Sequence, residues 1–414
     1  MKILIIHNNF PGQFNHLAKS LSRYPGNQVV AICQDHAPGL KDAAFTQLAK
    51  AIYSPKRKPN PRIHHYLYNV ESSVLNGQAV AKLLHELKCA GFTPDLCIGH
   101  IGWGEMLYVK DIFPDTPSIG YCEFYYHAFG GDADFNPVKP ITPDDHLRIR
   151  TKNAVTLLSL VACDAGVSPT HWQRQLYPEE FQSKIRVIHE GIDTATIRPG
   201  SGATLTLPNG NVLDSSMEVV TYIARSLEPY RGFHIFMRAA EEICRRRPNT
   251  QIVILGEDDV SYGARLPNHE TYRSKLLREV TIDPDRVHFL GTLSYDAYQT
   301  LLQVSSIHVY LTVPFVLSWS LLEAMASECV IVGSATPPVE EVIRHNENGL
   351  LVDFFSPRKI ADHVDEIFAH PKRMAHLAQQ ARQDVVDSYP VQQSLSQYRR
   401  LFDELTQSSR GRRL

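Results

Sequence analysis

At 414 residues the chain is long for one domain and comfortable for two. Its 43% hydrophobic and 21% charged residues, at a formal net charge of −2, fit an ordinary globular protein and exclude the strongly basic balance of a general nucleic-acid binder. The seven cysteines (Cys33, Cys89, Cys97, Cys122, Cys163, Cys244, Cys329) show no Cys-x-x-Cys spacing and several fall in apolar runs, which argues against disulfides and zinc.

The amino terminus, MKILIIHNNFPGQF, reads as a first strand and not as a signal peptide, and no run approaches membrane-spanning length, so a cytoplasmic location is expected. Ile3 to Ile6 lead through Asn8-Asn9-Phe10-Pro11-Gly12 into a helix carrying Phe14, Leu17 and Leu21, the first half of a βαβ unit. The fingerprint Gly-x-Gly-x-x-Gly is absent, so no NAD site is expected. Gly12 on its own reads as a plain turn glycine. Val29 to Ile32 is the next strand. Residues 54–66, SPKRKPNPRIHHY, form a proline-broken basic loop, either simply solvated or a docking surface for an anionic acceptor or a membrane. A helix is expected from about Val74 to Cys89. Two strands follow: 94–100, ending on His100, and 117–123, ending on Glu123 and running into Phe124-Tyr125-Tyr126-His127. The carboxyl ends of such strands carry ligand-contacting groups in open α/β sheets; a lone His or Glu there is as readily structural. Val161 to Val167 and Ile185 to Asp193 complete the first half. Gly200 to Ser216 reads as a linker with a small hairpin around Pro208-Asn209-Gly210.

The second half restarts with a strand, Val219 to Ile223, and a loop, Ala224 to Gly232, that holds Arg225 and Arg231. Two guanidinium groups can bind phosphate oxygens bidentately; two surface arginines are the plain alternative. The helix Phe233 to Arg247 precedes the strand Ile252 to Glu257. Asp258 and Asp259 beside Glu257 read as a solvated acidic loop in preference to a metal site. Strands at Val287 to Leu290 and Ser306 to Leu311 lead to the stretch that organises this half, VPFVLSWSLLEAMASECVIVGSATPPVEE, Val313 to Glu341. Its Ser320-x-x-Glu323 spacing is that of a capping box. Alternatively, Glu323 accepts from a ribose diol while the amides of Val316, Leu317, Ser318 and Trp319 attract an anion. Cys329 to Val332 is a buried strand, and Asn348 to Val352 another. Helical patterns follow at about 358–370, 371–386 and 391–407, the last with Leu395, Tyr398, Leu401 and Leu405 on one face; the tail SSRGRRL is expected to fray.

Several of these stretches together resemble the family-4 retaining glycosyltransferases (glycosyl transferase group 1) of GT-B fold. Leu321 to Ala326 is similar to the LLEAMA-like helix of the nucleotide-sugar signature, Thr336 to Glu341 to its small-residue loop, and Arg225 to Gly232 to the Gly-Arg-Leu…Lys-Gly element. His189 to Asp193 with Pro199, the Pro94-Asp95 strand ending on His100, and NGLLV at 348–352 also match. The chain departs from the family at three points. Phe315 stands where the first signature Glu is usual, Arg231 replaces the usual Lys, and Glu123 falls where much of the family has His, with His127 as the nearby substitute.

The resemblance implies an α/β chain of two doubly wound Rossmann-like domains facing across a cleft. Residues 1–198 would be the acceptor-side domain, 199–387 the nucleotide-sugar domain, and 388–414 a helix crossing back to the first. It further implies a retaining glycosyltransferase that uses a UDP- or GDP-sugar and a glycan or lipid-linked acceptor, in cell-envelope or capsular polysaccharide synthesis, with no metal or other cofactor. Peripheral membrane association fits such acceptors. Arg225 and Arg231 would stabilise the leaving diphosphate. Glu323, Glu257, Gly12 and residues 316–319 would lie at the donor, and Glu123, His100, His127 and Asn9 on the acceptor side. A GT-B nucleotide-sugar isomerase and a catalytically inactive binding partner are the alternatives. The first would need acid/base carboxylates that Phe315 does not supply, and the second has no use for a diphosphate clamp.

Overall fold

The computed structural model describes residues 1–411, so residues 412–414, the end of the SSRGRRL tail, lie outside the described residues. Two compact units divide the chain: Met1–Gly191 joined by the helix Val391–Gly411, and Ile192–Pro390. Each is built on a parallel sheet buried on both faces, which is why its strands are short continuous apolar runs.

The first sheet has seven strands: β1 (Lys2–Ile6), β2 (Gln28–Cys33), β3 (Ala49–Ile52), β4 (Leu96–His100), β5 (Ser118–Tyr121), β6 (Ala165–Ser168) and β7 (Ile185–Val187), in the order β3-β2-β1-β4-β5-β6-β7. All neighbours pair in parallel. Successive side chains of a strand point to opposite faces, so Ile3 and Ile5 join one core while Leu4 and Ile6 join the other. The first of these cores also takes Tyr398, Leu401 and Phe402 from the carboxyl-terminal helix. Burying side chains of that size is worth ~1.5–3 kcal/mol each, enough to hold the helix against this unit.

In the second unit a small antiparallel hairpin of β8 (Thr204–Thr206) and β9 (Val212–Asp214) turns at Gly210, as Asn-Gly predicted. The main sheet comprises β10 (Val219–Ser226), β11 (Gln251–Glu257), β12 (Val287–Gly291), β13 (Ile307–Tyr310), β14 (Val330–Ser334) and β15 (Leu350–Val352), in the order β12-β11-β10-β13-β14-β15. Chain order reverses between β1 and β4 in the first sheet and between β10 and β13 in the second. Helices on the two sides of such a point leave opposite faces, which opens a crevice at the strands' carboxyl ends.

Local differences from the sequence reading have physical causes. The helix expected from Val74 begins at Tyr68. The run at 161–167 is divided: Val161 and Ala162 end the helix Ala154–Ala162 and only Ala165–Ser168 is strand, a division that apolar character alone does not reveal. β3, only four residues at the sheet edge, none of them buried and one a lysine, had no signal. β10 continues to Ser226, so Arg225 stands on the strand and not in the following loop.

Candidate functional site

The carboxyl ends of β1, β4 and β5 bring a polar network together in the first unit. His7 follows β1, His100 ends β4 and Glu123 lies just past β5. The amide of Asn9 donates to His7 Nδ1 at 3.1 Å, and that of Gly102 to His100 Nδ1 at 3.0 Å. An amide N–H only donates, so Nδ1 is the acceptor in each ring and the hydrogen sits on Nε2. His7 Nε2 then donates to Gln13 Oε1 (2.7 Å), Gln13 Nε2 to Glu123 Oε1 (2.5 Å), and His100 Nε2 to Glu123 Oε2 (3.2 Å). Gln173 Nε2 holds the Glu123 carbonyl at 2.5 Å. Burial works to raise the Glu123 carboxyl, but the hydrogen bonds it accepts from His100 and Gln13 outweigh it and keep the group below its ordinary value. Burial lowers His7 to about 3, so its ring is neutral.

Trp103, half-buried, stacks on His100 with ring centres 3.6 Å apart and meets His7 edge-on at 5.1 Å. The segment carrying Trp103 is fixed from beneath. Asn76 Nδ2 donates to the Trp103 carbonyl (3.0 Å), and Tyr53, itself hydrogen-bonded by Gln34, donates to the buried Glu105 (2.6 Å). Burial raises the Glu105 carboxyl. Gly12 has φ +47°, and an added Cβ would fall on the His7 ring. The group that comes close to this glycine is therefore His7, the reason the position needs no side chain. His127 is not drawn into the network; its Nε2 meets the Leu176 carbonyl at 2.7 Å. In the basic loop Arg57 is bound to Glu71 at 2.6 Å, while Lys56, Lys58 and Arg62 are exposed.

In the second unit a cavity of about 420 Å³ lies at the carboxyl ends of β10, β11 and β12, bordered by Arg225, Gly256, Glu257, Tyr295, Tyr298 and Ser318. Arg225 is exposed on the strand, between buried Ala224 and Ser226. The helix Trp319–Ala326 starts with Ser318 as its cap residue but without a side-chain cap, so the Ser320–Glu323 capping box does not form. Glu323 turns instead to the helix Tyr295–Val304, accepting from Tyr298 Oη at 2.5 Å and Tyr295 Oη at 3.2 Å. Burial raises its carboxyl against the pull of these two bonds. A larger cavity of about 600 Å³ beside β12 is lined mainly by apolar side chains such as Leu277, Val280, Ile282 and Phe289; of its polar residues, Thr281 and Arg278, the latter is paired with Glu270, so the smaller cavity is the chemical candidate.

Arg231 lies beside this cavity's loop, 7% exposed. Tyr222 Oη holds its carbonyl at 2.6 Å, and Gly232, at φ +69°, makes the left-handed step into the helix Phe233–Arg246. The guanidinium Nη1 donates to Val316 O (2.8 Å), Thr312 Oγ1 (2.9 Å) and, more weakly, Tyr310 Oη (3.4 Å). The rings of Tyr262 and Phe315 stand 5.4 and 5.9 Å from it. Phe315 is wedged edge-on between Tyr230 and Tyr262. Tyr262 is placed by Glu228, fully buried, whose carboxylate accepts the amides of Ser261, Tyr262 and Gly263 at 2.7–3.2 Å. Among the described residues no carboxylate pairs with Arg231. The loop 316–319 is partly committed: the Val316 carbonyl serves Arg231 and the Ser318 amide donates to Tyr310 Oη at 2.7 Å. Leu317 is half-buried and Trp319 is 36% exposed.

The acidic loop is tied by ion pairs, Asp258 to Arg273 and Asp259 to Arg265 (2.7 Å), and Glu257 is exposed at the end of β11. Among the described residues no group of three or more potential ligands is arranged for a metal. All seven cysteines are free thiols.

His7, Gln13, Trp103, Tyr298, Glu228 and Tyr262 were not singled out from sequence. His7 carried a usable signal. His7, His100 and His189 each stand at or just past a strand's carboxyl end in a His-x-Asn/Gly triplet, and each accepts the amide two residues on at Nδ1. The others are placed only through space.

Comparison with known proteins matches residues 25–197 to the glycosyl transferase family 4 group and residues 207–384 to the glycosyl transferases group 1. D-inositol 3-phosphate glycosyltransferase of Segniliparus rotundus is 23% identical over 355 residues, 81% of this chain and 74% of that protein. The enzyme of the same name from Mycolicibacterium gilvum is 27% identical over 186 residues, 45% of this chain and 39% of its own length. Among solved structures, sucrose-phosphate synthase from Thermosynechococcus elongatus superposes with a TM-score of 0.71 at 16% identity, covering 99% of this chain and 100% of the other. Anabaena HepE in complex with UDP gives 0.69 at 15% identity, covering 98% and 100%.

Proposed function

We propose that this chain, which belongs to the family 4, group 1 glycosyltransferases and has the GT-B fold, moves a sugar from a nucleoside-diphosphate donor to a hydroxyl of a glycan or lipid-linked acceptor. The observation that carries the donor reading is Arg231, a buried cation whose partners are neutral oxygens and aromatic rings. A buried charge without an opposite charge is costly unless a ligand supplies one. Breaking the bond between the anomeric carbon and the phosphate oxygen loads negative charge onto the leaving diphosphate. Arg231, with exposed Arg225 on the cavity rim, would meet that charge. Two charge-assisted contacts of ~1.5–3 kcal/mol each supply roughly 10²–10⁴ in rate. Glu323, oriented by Tyr298 and Tyr295, would take the ribose diol through its remaining lone pairs.

Retention of configuration is the outcome usual in the family. Front-face attack, with the departing phosphate taking the acceptor's proton, requires no enzyme nucleophile. Glu123 would accept from the attacking hydroxyl. UDP is the first nucleotide to test, since Anabaena HepE, of similar fold, is solved in complex with it. A role in envelope polysaccharide synthesis and contact with a membrane surface through Lys56, Lys58 and Arg62 complete the reading. No helix among the described residues is long and apolar enough to cross a membrane.

A thermal-shift panel of UDP, GDP and ADP on the native chain and on Arg225→Ala tests the donor site. At one hundred times its dissociation constant a nucleotide stabilises by ~2.7 kcal/mol. A selective shift, diminished in the variant, is expected; no shift from any nucleotide would overturn the reading in favour of a partner without donor chemistry.

A further inference from the structure

We infer that the first unit is built to receive an uncharged polyol, a sugar ring or cyclitol, and to turn away its phosphorylated forms, with Glu123 as the discriminating residue. The inference rests on the reading of this chain as a glycosyltransferase with its acceptor at this unit. It deepens that reading by naming the acceptor's charge.

Glu123 combines three properties. Its side chain remains 26% exposed, so a ligand can reach it. Its two oxygens are held in fixed directions by Gln13 Nε2 and His100 Nε2, each using one acceptor position and leaving capacity for a hydroxyl. And no cationic side chain cancels its charge: Gln13 is neutral, His7 is neutral, His100 accepts the Gly102 amide at Nδ1 and so faces Glu123 as a neutral Nε2–H donor, and among the described residues no arginine or lysine comes within ion-pair distance of it. The amides of Asn9 and Gly102, which could otherwise have faced an anion, are spent on His7 and His100 Nδ1. Such a site accepts hydrogen bonds and offers no cation. A phosphate, with about −1.5 to −2 charges and only acceptor oxygens, meets repulsion and no donor. A hydroxyl meets a preorganised acceptor, and the neighbouring half-buried Trp103 adds apolar surface suited to the C–H face of a ring. The arrangement differs from what the names of the inositol 3-phosphate relatives would lead one to expect of their own acceptors.

The test reads binding directly, so it does not depend on turnover. Saturation-transfer NMR with the full chain, with and without UDP, would compare glucose, mannose and myo-inositol with their monophosphates, in the native protein and in Glu123→Gln. Neutral compounds should bind at least about tenfold tighter than their phosphates. In Glu123→Gln, an isosteric change, that ratio should fall about tenfold, and added salt should shrink it in the native protein as screening rises. Preference for the phosphates, absence of binding by every neutral compound, or a ratio unmoved by Glu123→Gln each overturns the inference. Donor hydrolysis measured separately keeps the two readings apart. Hydrolysis with the wrong acceptor preference refutes only the inference, whereas neutral-polyol selectivity without any nucleotide binding refutes only the transferase chemistry.

Discussion

The two units carry opposite charges in the same kind of setting. At the first switch point an anion, Glu123, is held by neutral donors: an amide side chain and the Nε2 hydrogen of His100. At the second a cation, Arg231, is held by neutral acceptors: a carbonyl, a hydroxyl and two ring faces. The contrast is with Arg246, which binds Glu242, Asp362 and Asp365 together and whose field is cancelled on the spot. Ion pairs of that kind fasten one helix to another. A buried charge satisfied by neutral partners keeps its field for something that arrives, and it is oriented in advance.

The largest effect that would break this comparison is expected from Arg231→Ala. Donor hydrolysis should drop by roughly 10–10², the share of one of the two charge-assisted contacts, and the uncovered Thr312 and Val316 oxygens should cost ~1–3 kcal/mol of stability in urea unfolding. A variant with full hydrolysis would show that this cation is structural only. Gly12→Ala comes next. The methyl group falls on His7 at a backbone angle that favours glycine, so ~1–3 kcal/mol should be lost in denaturant titration, and the Glu123 network should loosen with it. Tyr298→Phe removes one bond to the Glu323 carboxylate, worth ~1.5–3 kcal/mol, and should leave nucleotide selectivity intact while weakening affinity. If calorimetry finds affinity unchanged, Glu323 is not the ribose contact.

The remaining effect is in the pH profile. His7 is held at about 3 when folded against 6.5 when free, so the unfolded chain binds the proton first. Its contribution to stability is therefore full above about pH 6.5 and fades as pH falls toward 3. Glu123, held below its ordinary value, contributes stability that is present above the unfolded carboxyl value and lost as pH falls through the folded one. The melting temperature should decline from pH 7 to 4, and a His7→Gln variant should be flatter above pH 5, where the carboxylates stay ionised. Parallel profiles for the two proteins would mean that His7 is not the titrating group.

Much of the framework was legible in the chain itself. Parallel strands buried on both faces must be apolar runs, so β1, β2, β4, β10, β11, β13 and β14 announced themselves, as did the Asn-Gly hairpin and the apolar face of the last helix. His100 and Glu123 could be picked because strand ends in such sheets are where ligands gather, and Arg225 and Glu323 because their stretches resemble the family's donor elements. The edge strand β3 and the joint between helix Ala154–Ala162 and β6 were not legible, since apolar character does not say which backbone carries it.

Local pattern also could not tell which way a side chain turns. Glu323 had the spacing of a capping box, yet it bonds tyrosines 25 and 28 residues away. Gln13 reaches Glu123 across 110 residues, and Arg231 reaches Val316 across 85. Periodicity and local motifs act over a few residues and so determined the elements, the two-sheet layout and the candidate strand ends. The partners of each charge, and with them the neutral cradles of Glu123 and Arg231, depend on distances through space between segments far apart in the chain, and only the tertiary structure decided them.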